Sequence, residues 1–210
     1  IDGRSGSGKT VLSKVLAENL ATDHEVTVLR LEDLYPGWDG LEAGMKIFSE
    51  DVLPRLANGE TATYPTWDWE AGEEPGGAPG AEVTTEPTEV IICEGVGVGA
   101  RQNREFIDVL IWLRVPDEVR YDRAMNRDGA TYRTQWDNWA AQERRMLDQD
   151  QIYDAADLVQ SVLEKVGTRW AKINRNGADP TAYVRKAMAN AHVSRWRRSR
   201  RETLLAEFPD

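Results

Sequence analysis

The chain has 210 residues, a formal net charge of −10 and a single cysteine, Cys93, so an intrachain disulfide and a cysteine-rich metal site are excluded. His24 and His192 stand apart from any other ligand residue, which excludes zinc as well. The length allows one or two domains with a real core. No apolar run reaches membrane length and no signal peptide precedes the first motif, so a cytoplasmic protein without a membrane partner is expected. The charge is divided unevenly: residues 154–210 hold 11 Lys and Arg against 7 Asp and Glu, a net +4, while residues 1–153 hold 15 against 29, a net −14. The two parts are expected to meet different partners.

The first ten residues, Ile1-Asp2-Gly3-Arg4-Ser5-Gly6-Ser7-Gly8-Lys9-Thr10, contain Gly-x4-Gly-Lys-Thr. Glycines at this spacing let a loop curl with its N–H groups turned toward phosphate oxygens, the lysine reaches the β- and γ-phosphates, and the threonine offers its hydroxyl to Mg²⁺. Gly3 to Thr10 are therefore read as the ATP-binding residues. Val11, Leu12, Val15, Leu16 and Leu20 follow at helical spacing and predict the helix whose positive end completes the anion site. Such a loop normally follows a buried strand, of which Ile1-Asp2 are the end, so an earlier part of that strand is expected upstream.

Val26 to Leu31 predicts a second strand, closing on Glu32-Asp33 and the turn Tyr35-Pro36-Gly37. Leu41, Met45, Phe48, Val52 and Leu56 predict a helix over 41–57 that Pro54 bends or ends. Residues 70–87 are rich in Gly, Pro and Glu and read as a flexible loop. Glu89 to Gly95 predicts a buried parallel strand ending on Glu94, and Phe106 to Val115 another. Helices are expected over Pro116 to Asn126 and Thr134 to Asp150, the first with proline at its start. Alternating strands and helices imply a mostly parallel sheet with ligands at the carboxyl ends of its strands, where the loop, Glu32-Asp33 and Glu94 all fall.

Phosphoryl transfer needs a phosphate cradle, a metal, a group that orients or deprotonates the acceptor hydroxyl, and cations over the transferring group. Glu32 or Asp33 could take the acceptor proton. Glu94 could hold Mg²⁺ through water with Thr10, or be a carboxylate without catalytic duty. Arg120, Arg123 and Arg127 recur on one helical face, as a phosphate-covering lid or as a solvated face balanced by Asp117, Glu118, Asp122 and Asp128. Tyr64-Pro65-Thr66-Trp67-Asp68-Trp69 could stack on a nucleobase or belong to the core.

The segments Ile1 to Thr10, Tyr35-Pro36-Gly37-Trp38-Asp39-Gly40-Leu41, Tyr64 to Glu70, Val90 to Gly97, Arg120 to Gly129 and Trp136 to Glu143 together resemble the uridine kinase-like P-loop phosphotransferases. The resemblance spans about residues 1–160. It implies a three-layer α/β P-loop core, ATP with Mg²⁺ as donor, and a nucleoside or other small hydroxyl compound as acceptor. The family's catalytic aspartate falls, counting back from Tyr35, at Glu32 with Asp33 beside it, and both are carried as candidates with Lys9, Arg123 and Arg127. Acceptor contacts fall to Tyr35, Tyr64, Trp67 and Asp68.

Lys165 to Arg201 holds 11 basic residues and one acidic residue, Asp179. Thr181 to Phe208 reads as a helix carrying Arg195, Trp196, Arg197, Arg198, Arg200 and Arg201, a set suited to phosphates and an unpaired base. A solvated charged helix is the alternative. Asp157 to Gln160, Gly167 to Trp170, Asp179 to Arg185 and Asn190 to Arg201 resemble the second conserved region of an extracytoplasmic-function sigma factor, which implies DNA and RNA polymerase as partners. Both resemblances claim Asp154 to Val159. The expected organisation is thus a kinase-like domain over 1–160 and an all-α, basic, sigma-like segment over 161–210, with a DNA-binding module carrying a nucleotide domain as the second reading.

Overall fold

The computed structural model describes residues 1–71 and 76–152. The basic segment, with Arg195 to Arg201, and the expected boundary near residue 160 lie outside the described residues. Within them the chain is α/β. The β-branched runs Val26–Arg30 (β1) and Val90–Glu94 (β4) pair in parallel, Val26 opposite Val90 and Arg30 opposite Glu94. Ile1 joins the other side of β4, donating to Cys93 O at 2.6 Å and accepting from Gly95 N at 3.2 Å. Asp2 continues the ladder, its N–H to Ile111 O at 2.7 Å and its carbonyl from Leu113 N at 2.8 Å, in a parallel bridge to Trp112. The spatial order is therefore β1, β4, Ile1-Asp2 and 111–113, all parallel.

The 12-residue helix α1 (Lys9–Leu20) leaves the loop directly and packs on β1 and β4. Its sheet-facing residues are Lys9 and Ser13 with half-buried Leu12, Leu16 and Leu20, whereas Val11 and Val15 are exposed. Helix α2 (Leu41–Ile47) runs through a π-helical turn (Phe48–Val52) into α3 (Leu53–Ala57). The widened turn sits just before Pro54, which has no N–H to give to the preceding turn, so the expected bend takes this form.

Two expectations are corrected. Residues 78–85 of the supposed flexible loop form β3 (Ala78–Thr85), antiparallel to β2 (Ala62–Asp68), with a bulge between Pro65 and Trp67. The Gly and Pro bias conceals a strand whose Ala81-Glu82-Val83-Thr84-Thr85 stretch is mostly exposed and therefore lacks an apolar signature. The strand expected over Phe106 to Val115 shrinks to the pairing at 111–113, and Arg101–Phe106 is a 3₁₀ helix. Its anchor is fully buried Asn103, whose amide donates to Val98 O at 3.1 Å.

The two expected C-terminal helices are present as the two halves of α4 (Asp117–Asp150), which meet at a break at Gly129, whose φ of 67° and ψ of −142° suit glycine alone. The main core lies between the α2–α3 run, the 3₁₀ turn Leu31–Leu34, the segment Val96 to Ala100 and α4, with Leu31, Phe48 and Val52 sealed from solvent. Phe48→Ala is expected to cost about 3–5 kcal/mol, because the surrounding helices cannot collapse into the space. Urea denaturation measures it; a loss below ~1 kcal/mol contradicts this packing.

Candidate active site

The loop from Gly3 to Gly8 joins Asp2 to α1, as the motif requires. Gly8 caps α1 at φ 95°, and a Cβ there would meet nothing within 4 Å, so the helix end opens into free space. Gly6, at φ 77°, passes so close to the Arg120 backbone carbonyl that no side chain fits. Lys9 is buried and arches back over the loop, Nζ donating to Gly3 O at 2.7 Å and Arg4 O at 3.3 Å. Burial pushes its ammonium below the usual lysine range, opposed by the carboxylates of Glu143, Glu94, Asp2 and Glu32, in that order. Ser7 Oγ is buried with no hydrogen-bond partner among the described residues. An orphaned hydroxyl beside a poised ammonium and an open helix N-terminus fits a phosphate chain.

Thr10 Oγ1 donates to Glu94 Oε1 at 2.8 Å, which brings together the two residues expected at the metal. Glu94 is buried at the end of β4, so the pairing follows from the parallel register of the sheet. Among the described residues no group of three or more His, Cys, Asp or Glu is placed to hold a metal. A hydroxyl and a carboxylate nonetheless fit Mg²⁺, which takes oxygen donors, keeps waters and draws further ligands from phosphates.

Glu32 and Asp33 both lie in the 3₁₀ turn Leu31–Leu34 after β1, and the structure separates them. Asp33 accepts from Arg30 Nη2 at 3.1 Å; burial pushes its carboxyl up and Arg30 opposes the shift. Glu32 acts on the Lys9 ammonium, and its carboxylate accepts no hydrogen bond among the described residues. Glu32 thus keeps an uncommitted carboxylate, whereas that of Asp33 is held by Arg30.

The aromatic residues divide. Tyr35 is a core residue, its hydroxyl donating to Val96 O at 2.9 Å and its ring 5.3 Å from that of Trp139, so it shapes the site from behind. Tyr64 is also buried and bonds Thr85 Oγ1 at 2.7 Å across the hairpin. Trp67 Nε1 donates to Gly76 O at 2.8 Å, and exposed Asp68 accepts from Glu70 N and Ala71 N, capping the hairpin loop. The aromatic cluster instead centres on Trp38, with Trp69 at 4.9 Å, Tyr132 at 5.2 Å and Trp139 at 6.4 Å between ring centres. Trp38 Nε1 is buried without a hydrogen-bond partner among the described residues.

The arginine face of α4 also divides. Arg123 and Arg127 are exposed on the half before Gly129. Arg120 is fully buried: it donates to Ser5 O at 2.8 Å and Asp117 Oδ1 at 2.7 Å and lies 5.5 Å from the centre of the Trp136 ring. On the other half, Trp139 Nε1 donates to Ser5 Oγ at 2.9 Å, and Glu143 accepts from Ser5 N at 2.7 Å and from Arg4 Nε at 2.9 Å. Every polar group of Ser5 is therefore held by α4. The Arg4 guanidinium is committed to Glu143 and Asp117. The same half-helix grips the 35–40 segment, Asn138 bonding Asp39 and Gln142 bonding Trp38 O.

Sequence reasoning did not single out Asp2, Trp139 or Glu143. Asp2 is fully buried and accepts from the N–H groups of Gly3, Gly97 and Gly99, tying the phosphate loop to the segment after β4; burial pushes its carboxyl up. Trp139, Gln142, Glu143 and Met146 recur at i, i+3, i+4 and i+7, a helical face that periodicity could have found.

No protein-family model matches the chain. It is similar to the uridine kinase of Latilactobacillus sakei, 30% identical over 141 residues that cover 61% of this chain and 64% of that protein. The uridine kinase of Lactobacillus johnsonii is 26% identical over 144 residues, 61% and 65% of the two chains, and that of Leuconostoc citreum 29% over 169 residues, 71% and 78%. Over this stretch the chain is homologous to uridine kinase-like P-loop kinases. It spans just under two thirds of the length of the Latilactobacillus relative. Among solved structures, a possible uridine kinase from Bacillus stearothermophilus superposes with a TM-score of 0.50 at 21% identity, over 74% of this chain and 83% of that one, which establishes the P-loop kinase fold. These relatives lend no support to the sigma-factor resemblance of the basic segment, nor to DNA or RNA polymerase as partners.

Proposed function

We propose that this protein is an ATP-dependent phosphotransferase that phosphorylates a hydroxyl of a nucleoside. The observation that carries the reading is the contact of Thr10 with Glu94 at 2.8 Å, with buried Lys9 at the start of the same helix, which sets a hydroxyl, a carboxylate and an ammonium at the carboxyl ends of parallel strands. The homology to uridine kinases supports it and makes uridine the first acceptor to test. Trp38, Trp69 and Tyr132 supply the planar faces a nucleobase stacks on, and the unpartnered Trp38 N–H suits a base carbonyl.

In this reading the loop N–H groups and Lys9 bind and orient the phosphates of ATP. A magnesium ion, when bound, supplies charge neutralisation on those phosphates, and Thr10 and Glu94 are the residues that would hold it. Glu32 takes the proton of the acceptor hydroxyl. The acceptor oxygen bonds to the γ-phosphorus while the bond from that phosphorus to its bridging oxygen breaks, leaving ADP, a phosphomonoester and a proton on Glu32 that passes to water. Arg123 and Arg127, exposed on the half of α4 before Gly129, are the cations that would cover the transferring group. The test is ADP release with and without a panel of nucleosides. Release stimulated by at least one nucleoside is expected, and a rate indifferent to the whole panel contradicts the proposal.

A further inference from the structure

A carboxylate of the protein takes up two donors of the phosphate loop. Glu143 reaches the loop from α4 with both oxygens, taking the Ser5 N–H at 2.7 Å and the Arg4 guanidinium at 2.9 Å, and only 1% of its surface is exposed. An amide and a guanidinium on a phosphate loop are anion-binding donors, and here both are committed to a carboxylate. Glu143 also acts on the Lys9 ammonium, opposing the effect of its burial, as Glu94 does. The carboxylate thus stands at the apex of the loop, on Ser5 and Arg4.

From this geometry we infer that Glu143 is a specificity-determining residue: it is an internal anion of the phosphate loop, and it penalises nucleotides in proportion to the phosphate charge they bring to the apex. The inference rests on the proposed nucleotide site and adds an occupant to it. Two anions cannot share the Ser5 N–H and the Arg4 fork without repulsion, so a triphosphate must displace Glu143, a diphosphate must do so less, and a monophosphate scarcely at all. A merely structural ion pair would act differently. Its weakening would loosen the loop and reduce affinity for every nucleotide alike.

Glu143→Gln separates the two cases, because the amide keeps the size of the side chain and an oxygen for Ser5 N–H while removing the charge. Binding of ATP, ADP and AMP to wild type and variant is measured by calorimetry, with melting curves to establish folding. ATP affinity is expected to rise about tenfold, the scale of one charge-assisted hydrogen bond, with a smaller gain for ADP and none for AMP. If the variant does not fold, Glu143→Asp decides, since it draws the carboxylate back by one methylene; its ATP affinity should exceed that of wild type. Equal or weaker ATP binding by the folded variant overturns the inference and leaves the nucleotide site standing. Binding of ATP by the variant only supports it. No ATP binding by either protein overturns both the inference and the nucleotide site.

Discussion

Lys9→Ala is expected to weaken ATP binding by about 10²–10³-fold and to remove measurable phosphoryl transfer, the scale set by deleting one partner of a buried charge cluster. The reason lies in what surrounds the ammonium. Lys9 faces Glu143, Glu94, Asp2 and Glu32, and its Nζ also satisfies the carbonyls of Gly3 and Arg4. Truncation leaves those carboxylates to repel the phosphates and removes the donor that spans the loop. Calorimetric titration of ATP with Mg²⁺ into folded wild type and variant measures the effect. Equal affinity in the two proteins contradicts the assignment of the loop.

The second large effect falls on the turn after β1. Glu32→Gln is expected to slow phosphoryl transfer about 10²–10⁴-fold, as removal of a general base does, with ATP affinity unchanged. Asp33→Asn should leave the rate within a few-fold of wild type, because Asp33 is engaged by Arg30. Single-turnover rates with a nucleoside that stimulates ADP release make the comparison. A large loss in Asp33→Asn with none in Glu32→Gln would move the base to Asp33, and no loss in either places it elsewhere.

The phosphate loop was legible in the sequence because its chemistry is local: the glycines, Lys9 and Thr10 occupy one short segment whose spacing is the mechanism. Glu94 and the Glu32-Asp33 pair were legible because a parallel sheet delivers the carboxyl ends of its strands to one edge. The choice between Glu32 and Asp33 was not, since what distinguishes them is the engagement of Asp33 by Arg30. The acceptor side was read less well. Asp68 and Trp67 lie in a segment rich in aromatic and turn residues, and their polar groups are used by the hairpin that β3 completes. Glu143 and Trp139 lie more than 130 residues from Ser5, so periodicity could show their shared helical face but not the phosphate loop that it packs on. Arg120 matched the expected helical repeat and is buried, because the first turn of α4 lies against the phosphate loop.

³¹P NMR of the protein with ATP, Mg²⁺ and a nucleoside, uridine first, shows whether the site of Lys9, Thr10, Glu94 and Glu32 moves the γ-phosphoryl group of ATP to a nucleoside hydroxyl. A phosphomonoester resonance that grows in step with ADP and is absent without the nucleoside is expected. ADP accumulating with inorganic phosphate and no phosphomonoester for any nucleoside would contradict it.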